Sequence, residues 1–529
     1  MTKHSINRCS IISLMPEFIF LAFIMLVIPL YDIEIEYDVG NILIFGTFSI
    51  IMVLVFLYIW NIERRETILY LLYYLSSIAT ISSTSLLSVA MLFEVMTLSV
   101  LVMVASGSNG TNRRVFMHYS CIHFLAGVML LIGASGQFLG PLGSQDNYKV
   151  FFLIGLLINC ACFPLSSWVA DTYSTALNND TIILSVFTTK VSVYLLMLFF
   201  HGEKILLFLG IATSIYGIIF SILENNIKRL LCYNLVGQMG LIITVIGFSD
   251  GYNDDGVSDI IILQIILSIV YQSLLFMVAT SVIKSTQRFN LSEIGGLFKK
   301  MPIEAMCSIV AISNMGALPG TAGFVVKFKI MHMIDNINST EVLIGKLFLL
   351  CSMLLFMSVG IKFFSYIFIY KSTESPVVKK VHAASKLSMS ILALICILFG
   401  IVFSFLLAWE DIGKWDSIVL QFELIFGSIV FFICFPSLFK GRVNFIMDID
   451  WVYRVLFMRV VLLVNKFLLY IYNILIAMLT YVLGKGVLLC SKSSREILSV
   501  PSVNPLGFTI MLGMLFIIVM VVVYLCLNL

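Results

Sequence analysis

The sequence predicts an all-α polytopic membrane protein of about 14–16 transmembrane helices, in two repeated bundles that each contain a discontinuous helix. Three observations lead there. Of 529 residues, 60% are hydrophobic and only 12% are charged. The mean hydropathy of +1.07 is far outside the range of a water-soluble domain. Apolar runs long enough to cross a bilayer recur along the whole chain, and two of them, one in each half of the core, are broken by proline, glycine or asparagine.

The runs come in order. Stretches near 12–31, 41–60, 86–105, 115–139, 204–224, 230–248, 257–283, 342–370, 386–408, 419–438 and 508–527 each suffice for one helical crossing. Shorter or interrupted runs lie near 67–83, 149–168, 181–200, 303–335 and 455–484. Only short polar loops separate them, so there is no room for a sizeable aqueous catalytic domain, and function must lie within the membrane or in a partner. Three regions are expected: N-terminal helices over 1–84, a core over 85–370, whose bounds are those of the resemblance described below, and C-terminal helices over 371–529. In the last region "AWEDIGKWDS" and "DIDWVYR" are amphipathic, and 455–484 is expected either to lie along the interface or to cross at a tilt.

Charge position matters more than the formal net charge of +3. Lys3 and Arg8 precede the first span and acidic residues follow it, while Arg64 and Arg65 follow the second. The positive-inside rule therefore places the N-terminus in the cytoplasm. The first run leads into further spans and reads as an anchor, not a removed signal. Eleven cysteines are scattered through apolar runs without metal-ligand spacing and read as small core residues.

The informative residues are ionisable groups far from helix ends. A Lys or Asp at the bilayer centre costs about 2.5–3.5 kcal/mol, so each needs a partner or a role. Glu94 lies mid-run in "LLSVAMLFEVMTLSVLVMVA" and Lys190 in "TIILSVFTTKVSVYLLMLFF". Lys327 follows the "GALPGTAG" interruption, where Pro319, Gly320 and Gly323 are expected to break the helix and free backbone carbonyls. Lys362 lies among aromatics in "VGIKFFSY". In the other interrupted segment Pro164 ends one apolar half, and Asn178-Asn179-Asp180 separates it from the half bearing Lys190. Irregular backbone beside an intramembrane charge is how many transporters build an ion site. Gln264, Ser268 and Gln272 recur every fourth residue of "QIILSIVYQSLLF" and form a neutral polar stripe on one helix face. Interhelical hydrogen bonding at about 0.6 kcal/mol per contact would account for three such groups; a water file is the alternative. His123 reads as a hydrogen-bonded packing residue.

Several ordered stretches carry a resemblance: "WVADTYSTALNNDTIILSVFTTK" (168–190), "ENNIKRLLCYNLVGQMG" (224–240), "IGGLFKKMP" (294–302) and "GALPGTAGFVVKFKI" (316–330). Together they resemble the antiporter-like membrane subunits shared by respiratory Complex I and the multisubunit Mrp-type Na+/H+ antiporters. "FTTKVSVY" and "YNLVGQMG" look closer to the antiporters' D-type subunit than to the Complex I subunits. The resemblance implies a multi-pass subunit of the bacterial cell (inner) membrane, partnered by other membrane subunits, that moves protons in exchange for Na+ or another monovalent cation, without cofactor or metal. It also implies a proton line through Glu94, Lys190 and Lys327. Here the family's lysine nine residues before Trp168 is replaced by Asn159, and its usual histidine, histidine and lysine fall on Gln264, Ser268 and Gln272. These four, with Lys362 and the motif residue Lys228, make a secondary polar path. The alternatives are a membrane-arm subunit of a Complex I-like NADH:quinone oxidoreductase, or a structural subunit that has lost conduction.

Overall fold

The structure is a computed structural model. It describes residues 39–439 except 61, 107–111, 137–144, 249–254, 336–340, 372–376 and 408–414, together with Arg459. The expected spans at 12–31 and 508–527 and the segment 455–484, Arg459 apart, lie outside the described residues. Residues 39–439 belong to one compact unit, Met1–Ile446.

That unit is helical. The first helices are α1 (Val39–Tyr58), α2 (Arg64–Ser82), α3 (Leu86–Ser106), α4 (Asn112–Ser135), α5 (Gln145–Asn159), α6 (Ser167–Thr175), α7 (Asn178–Leu184) and α8 (Thr188–Phe200). They are followed by α9 (Ile205–Leu223), α10 (Ile227–Phe248), α11 (Asp255–Thr286), α12 (Pro302–Met315), α13 (Ala322–Asp335) and α14 (Glu341–Leu355). The last are α15 (Ala383–Leu407), α16 (Trp415–Cys434) and α17 (Pro436–Phe439). Among the described residues nine helical stretches are long and apolar enough to cross a membrane, and three shorter apolar helices accompany them. The protein is a multi-pass membrane protein.

Burial separates the centre from the lipid-facing rim. The apolar windows of α3 and α10 are 100% buried within the protein, whereas that of α15 is 33% buried. Residues such as Ile397, Leu398 and Ile401 therefore face outward, as an apolar surface in hydrocarbon requires. A close seam joins α9 and α10. A Cβ on Gly217 would stand 2.7 Å from the Cα of Gly237 and from the carbonyl of Tyr233, and one on Gly240 would stand 2.6 Å from the carbonyl of Gly210. Small residues let the backbones meet, and dispersion does the work that hydrophobic burial does in water.

The two interruptions end their first halves in the same way. At the end of α5, Ala161 adopts φ 59°. Its amide bonds the carbonyl of Ile158 (3.0 Å), and that of Cys162 bonds Leu157 (2.9 Å). At the end of α12, Ala317 adopts φ 55°. Its amide bonds Asn314 (3.2 Å) and that of Leu318 bonds Ser313 (3.0 Å). This is a left-handed C-terminal cap of the Schellman type, used twice and occupied by alanine both times. A proline follows shortly after each, at 164 and 319, and prevents the helix from continuing. Pro319 and Gly320 (φ 89°) do lie in the second break, but Gly323 does not. Gly323 sits inside the first turn of α13, where a Cβ would come 2.0 Å from the carbonyl of Asn314. Its role is close approach of the two half-helices. In the other segment, Asn178-Asn179-Asp180 opens α7 instead of separating two halves, and a further discontinuity occurs at Ser185–Phe187, just before Lys190.

Candidate functional site

α11 is the hub. It packs against α7, α8, α10, α12 and α13, so both half-helix pairs that carry buried lysines abut it. Two of its stripe residues face inward, Ser268 (0% exposed) and Gln272 (1%), and Gln264 is half-buried.

Lys190 lies in the first turn of α8, buried. Its Nζ donates to the carbonyl of Ser185 (2.9 Å), which the preceding discontinuity frees, and to Oε1 of Gln272 on α11. The broken backbone thus supplies one partner and the polar stripe the other. Lys327, on α13, is buried and its Nζ has no partner within the protein. It opens on a cavity of about 20 Å³ shared with Gln238, Gln264, Asn314 and Ser352. That volume holds about one water, and the polar lining suits one. Ser268, between the two glutamines, turns its hydroxyl back to the carbonyl of Ile265 (2.7 Å). The stripe therefore touches Lys190 at Gln272 and shares the Lys327 cavity at Gln264, two helical turns away along one face, roughly 12 Å.

Glu94 is buried on α3, and its Oε2 has no partner. Aromatic residues link its surroundings to α8. Tyr119 is within electrostatic range of both Glu94 and Tyr73. The Tyr73 hydroxyl accepts the Thr188 amide (3.1 Å) and shares a hydrogen bond with the Thr188 hydroxyl. His123 packs against Tyr119 and Trp168, with ring centroids 4.0 and 4.4 Å away. Asn159 donates to the carbonyl of Gly155 (3.2 Å) at the end of α5.

The other two sequence-derived positions serve helix ends. Lys362 lies between two π-helical stretches, Phe356–Ile361 and Ser365–Ile369, and is 0% exposed. Its Nζ donates to the carbonyls of Ser221 (2.9 Å), Ile222 (2.8 Å) and Glu224 (2.6 Å), closing the C-terminus of α9. Lys228 donates to the carbonyl of Ala176 (2.9 Å), which joins α10 to the end of α6. Beside it Arg229 binds Asp171 (2.8 Å) and Glu224 (3.0 Å) and pins α6 to α10.

Two buried carboxyls escape the sequence reading. Asp180, 2% exposed, looks in sequence like a turn residue beside two asparagines. Glu304, 0% exposed with neither oxygen partnered, follows Pro302 at the end of an apolar run and looks like an interfacial acid. The available signal was their position, the third residue of a helix opening a buried segment.

Broken helices, buried lysines and, between them, an apolar helix with a polar stripe thus lie together in one compact unit. Residues 83–350 match the family described as NADH:quinone oxidoreductase/Mrp antiporter, transmembrane region, and the chain belongs to that family. The D-type subunit of the Bacillus subtilis Na(+)/H(+) antiporter is 24% identical over 70% of this chain and 80% of its own. The N-type subunit of the Pelagibacter ubique NADH-quinone oxidoreductase is 26% identical over 43% of this chain and 52% of its own. The chain thus spans about half the length of that oxidoreductase subunit. In fold it is similar to a chain of the Mrp complex from Dietzia sp. (TM-score 0.64, 15% identity, 78% of this chain and 94% of that one). It is also similar to a chain of a membrane-bound sulfane sulfur reductase, an archaeal respiratory membrane complex (TM-score 0.64, 18% identity, 83% and 88%).

Proposed function

We propose that this chain is the proton-moving membrane subunit of a multisubunit monovalent cation/proton antiporter in a bacterial cell membrane. The observation that carries the reading is the α11 stripe, which bonds Lys190 through Gln272 and borders the Lys327 cavity through Gln264. Glu94, Lys190 and Lys327 are the groups that take up and release protons. Gln264, Ser268 and Gln272 cannot store a proton, but amides and a hydroxyl can hold water through which one passes. Asn159 and Lys228 support this path by holding the backbone around it, and Lys362 clamps the end of α9 beside it. The partners are other membrane subunits of the same complex, and the exchanged ion is Na+ or another monovalent cation.

The test uses vesicles that carry the whole complex, with internal pH followed after a cation gradient is imposed. A pH change that disappears in Lys190→Ala and Lys327→Ala supports the reading; full activity in both ends it. Membership of a family that includes oxidoreductase subunits, such as that of Pelagibacter ubique, favours a second reading, a membrane arm driven by a redox partner. In that case pH change in the same vesicles follows NADH and quinone, not the cation.

A further inference from the structure

One edge of the unit is assembled from the end of α1, the starts of α2, α7, α10 and α12, and the end of α11. Tyr58 bonds Ser281 (2.8 Å), and Thr280 bonds the carbonyl of Asn178 (3.1 Å). Asn226 pairs with Asn290, and the Lys379 amide bonds the carbonyl of Ser285 (3.0 Å). Arg64, Arg65, Lys228, Lys284, Lys299 and Lys379 gather here, which makes this the cytoplasmic edge by the positive-inside rule.

Just inside it lies Asp180. Its Oδ1 accepts the Tyr70 hydroxyl (2.5 Å), while its Oδ2 is buried with no partner in the protein. Two lysines stand near enough to feel its charge or that of its surroundings, yet both are engaged elsewhere. Lys228 holds the carbonyl of Ala176 and Lys284 holds Oδ1 of Asn179. Lys284 is exposed and Glu66 half-buried, so bulk water reaches the groups that flank Asp180. From Asp180 inward, α2 lays a second phenol, Tyr73, against Thr188. Thr189 follows with a buried, unpartnered hydroxyl, and then comes Lys190. The lysine lies ten positions beyond the acid along interrupted helix, roughly 15 Å.

We propose that Asp180 is the proton-loading carboxyl through which Lys190 exchanges protons with the cytoplasmic edge, a reading that rests on the proton path proposed above. A proton, not a metal cation, fits the site. The polar groups that meet the carboxyl are hydrogen-bond donors, the Tyr70 hydroxyl and the Leu177 amide, and among the described residues no group of three His, Cys, Asp or Glu side chains could hold a metal ion. In the step, the O–H bond of the Asp180 acid breaks and an N–H bond forms on the Lys190 amine. Each hydroxyl or water between them takes one proton and passes one on. Asp180 is left as carboxylate, to be reloaded from water beside Glu66 and Lys284. Glu66 and Tyr70 on α2, Lys228 on α10 and Lys284 on α11 are the titratable groups that face or flank it.

The experiment compares wild type, Asp180→Asn, Asp180→Glu and Lys190→Ala complexes in vesicles, read by cation-driven proton movement, with assembly checked by native gel. Asp180→Asn is expected to assemble and to slow proton movement by at least about tenfold, and Asp180→Glu to stay within about threefold of wild type. Formate or azide, small weak acids that ferry protons, should restore the Asp180→Asn rate and leave Lys190→Ala unchanged. A purely structural aspartate would not respond to them. If Lys190→Ala is inactive while Asp180→Asn runs at full rate, or if neither weak acid restores Asp180→Asn, this inference falls and the proton path stands. If Lys190→Ala itself is fully active, the proton path and this inference both fall.

Discussion

Nζ of Lys190 hydrogen-bonds Oε1 of Gln272 across the contact between α8 and α11. A lysine deep in the protein interior thus finds a neutral amide where its family commonly places a charge, and that amide lies on the helix that also borders the Lys327 cavity.

Gln272→Leu removes this partner and leaves Lys190 with the Ser185 carbonyl alone. A buried polar group that loses a hydrogen bond costs about 1–3 kcal/mol. The variant is expected to melt earlier in a detergent thermal-shift assay and to move protons more slowly; Gln272→Glu should retain the contact and the stability.

Lys362 is a helix-end clamp. Lys362→Met strands three carbonyls at the end of α9 and is expected to cost about 3 kcal/mol, seen as reduced assembly of the complex. Turnover per assembled complex should be unchanged. A turnover loss in fully assembled complex would instead make Lys362 part of the path.

Gly217→Leu drives a side chain into the backbone of α10, whose nearest atoms stand 2.7 Å from the added Cβ. Overpacking of this kind costs about 1–3 kcal/mol, and the backbone cannot yield as a side chain would. Pulse-chase measurement of complex yield is expected to show a loss, whereas Gly46→Ala on α1, where a Cβ meets nothing within 4 Å, should show none.

Much of this was legible in the sequence. The runs at 86–105, 230–248 and 257–283 became α3, α10 and α11 because long apolar stretches leave the backbone no partner in lipid except its own helix. Pro164 and Pro319 marked both interruptions. The discontinuity before Lys190 was hidden, since Ser185, Val186 and Phe187 carry no breaker and the geometry comes from packing. Lys362 could be read as buried, but not as a cap of α9, because its three carbonyls lie about 140 residues away in sequence. Asp180 was obscured by its asparagine neighbours, and its burial depends on Tyr70, brought there by α2.

The central claim is that Lys190 and Lys327 are stations on one path joined by α11. The most direct measurement is the initial rate of cation-driven pH change in Gln264→Leu, Gln272→Leu and the double variant. A single path predicts a double variant no slower than the slower single, because an interrupted line is not interrupted further by a second break. A double variant whose residual rate is the product of the two single residual rates would mean that the two lysines work independently, and the account would be wrong.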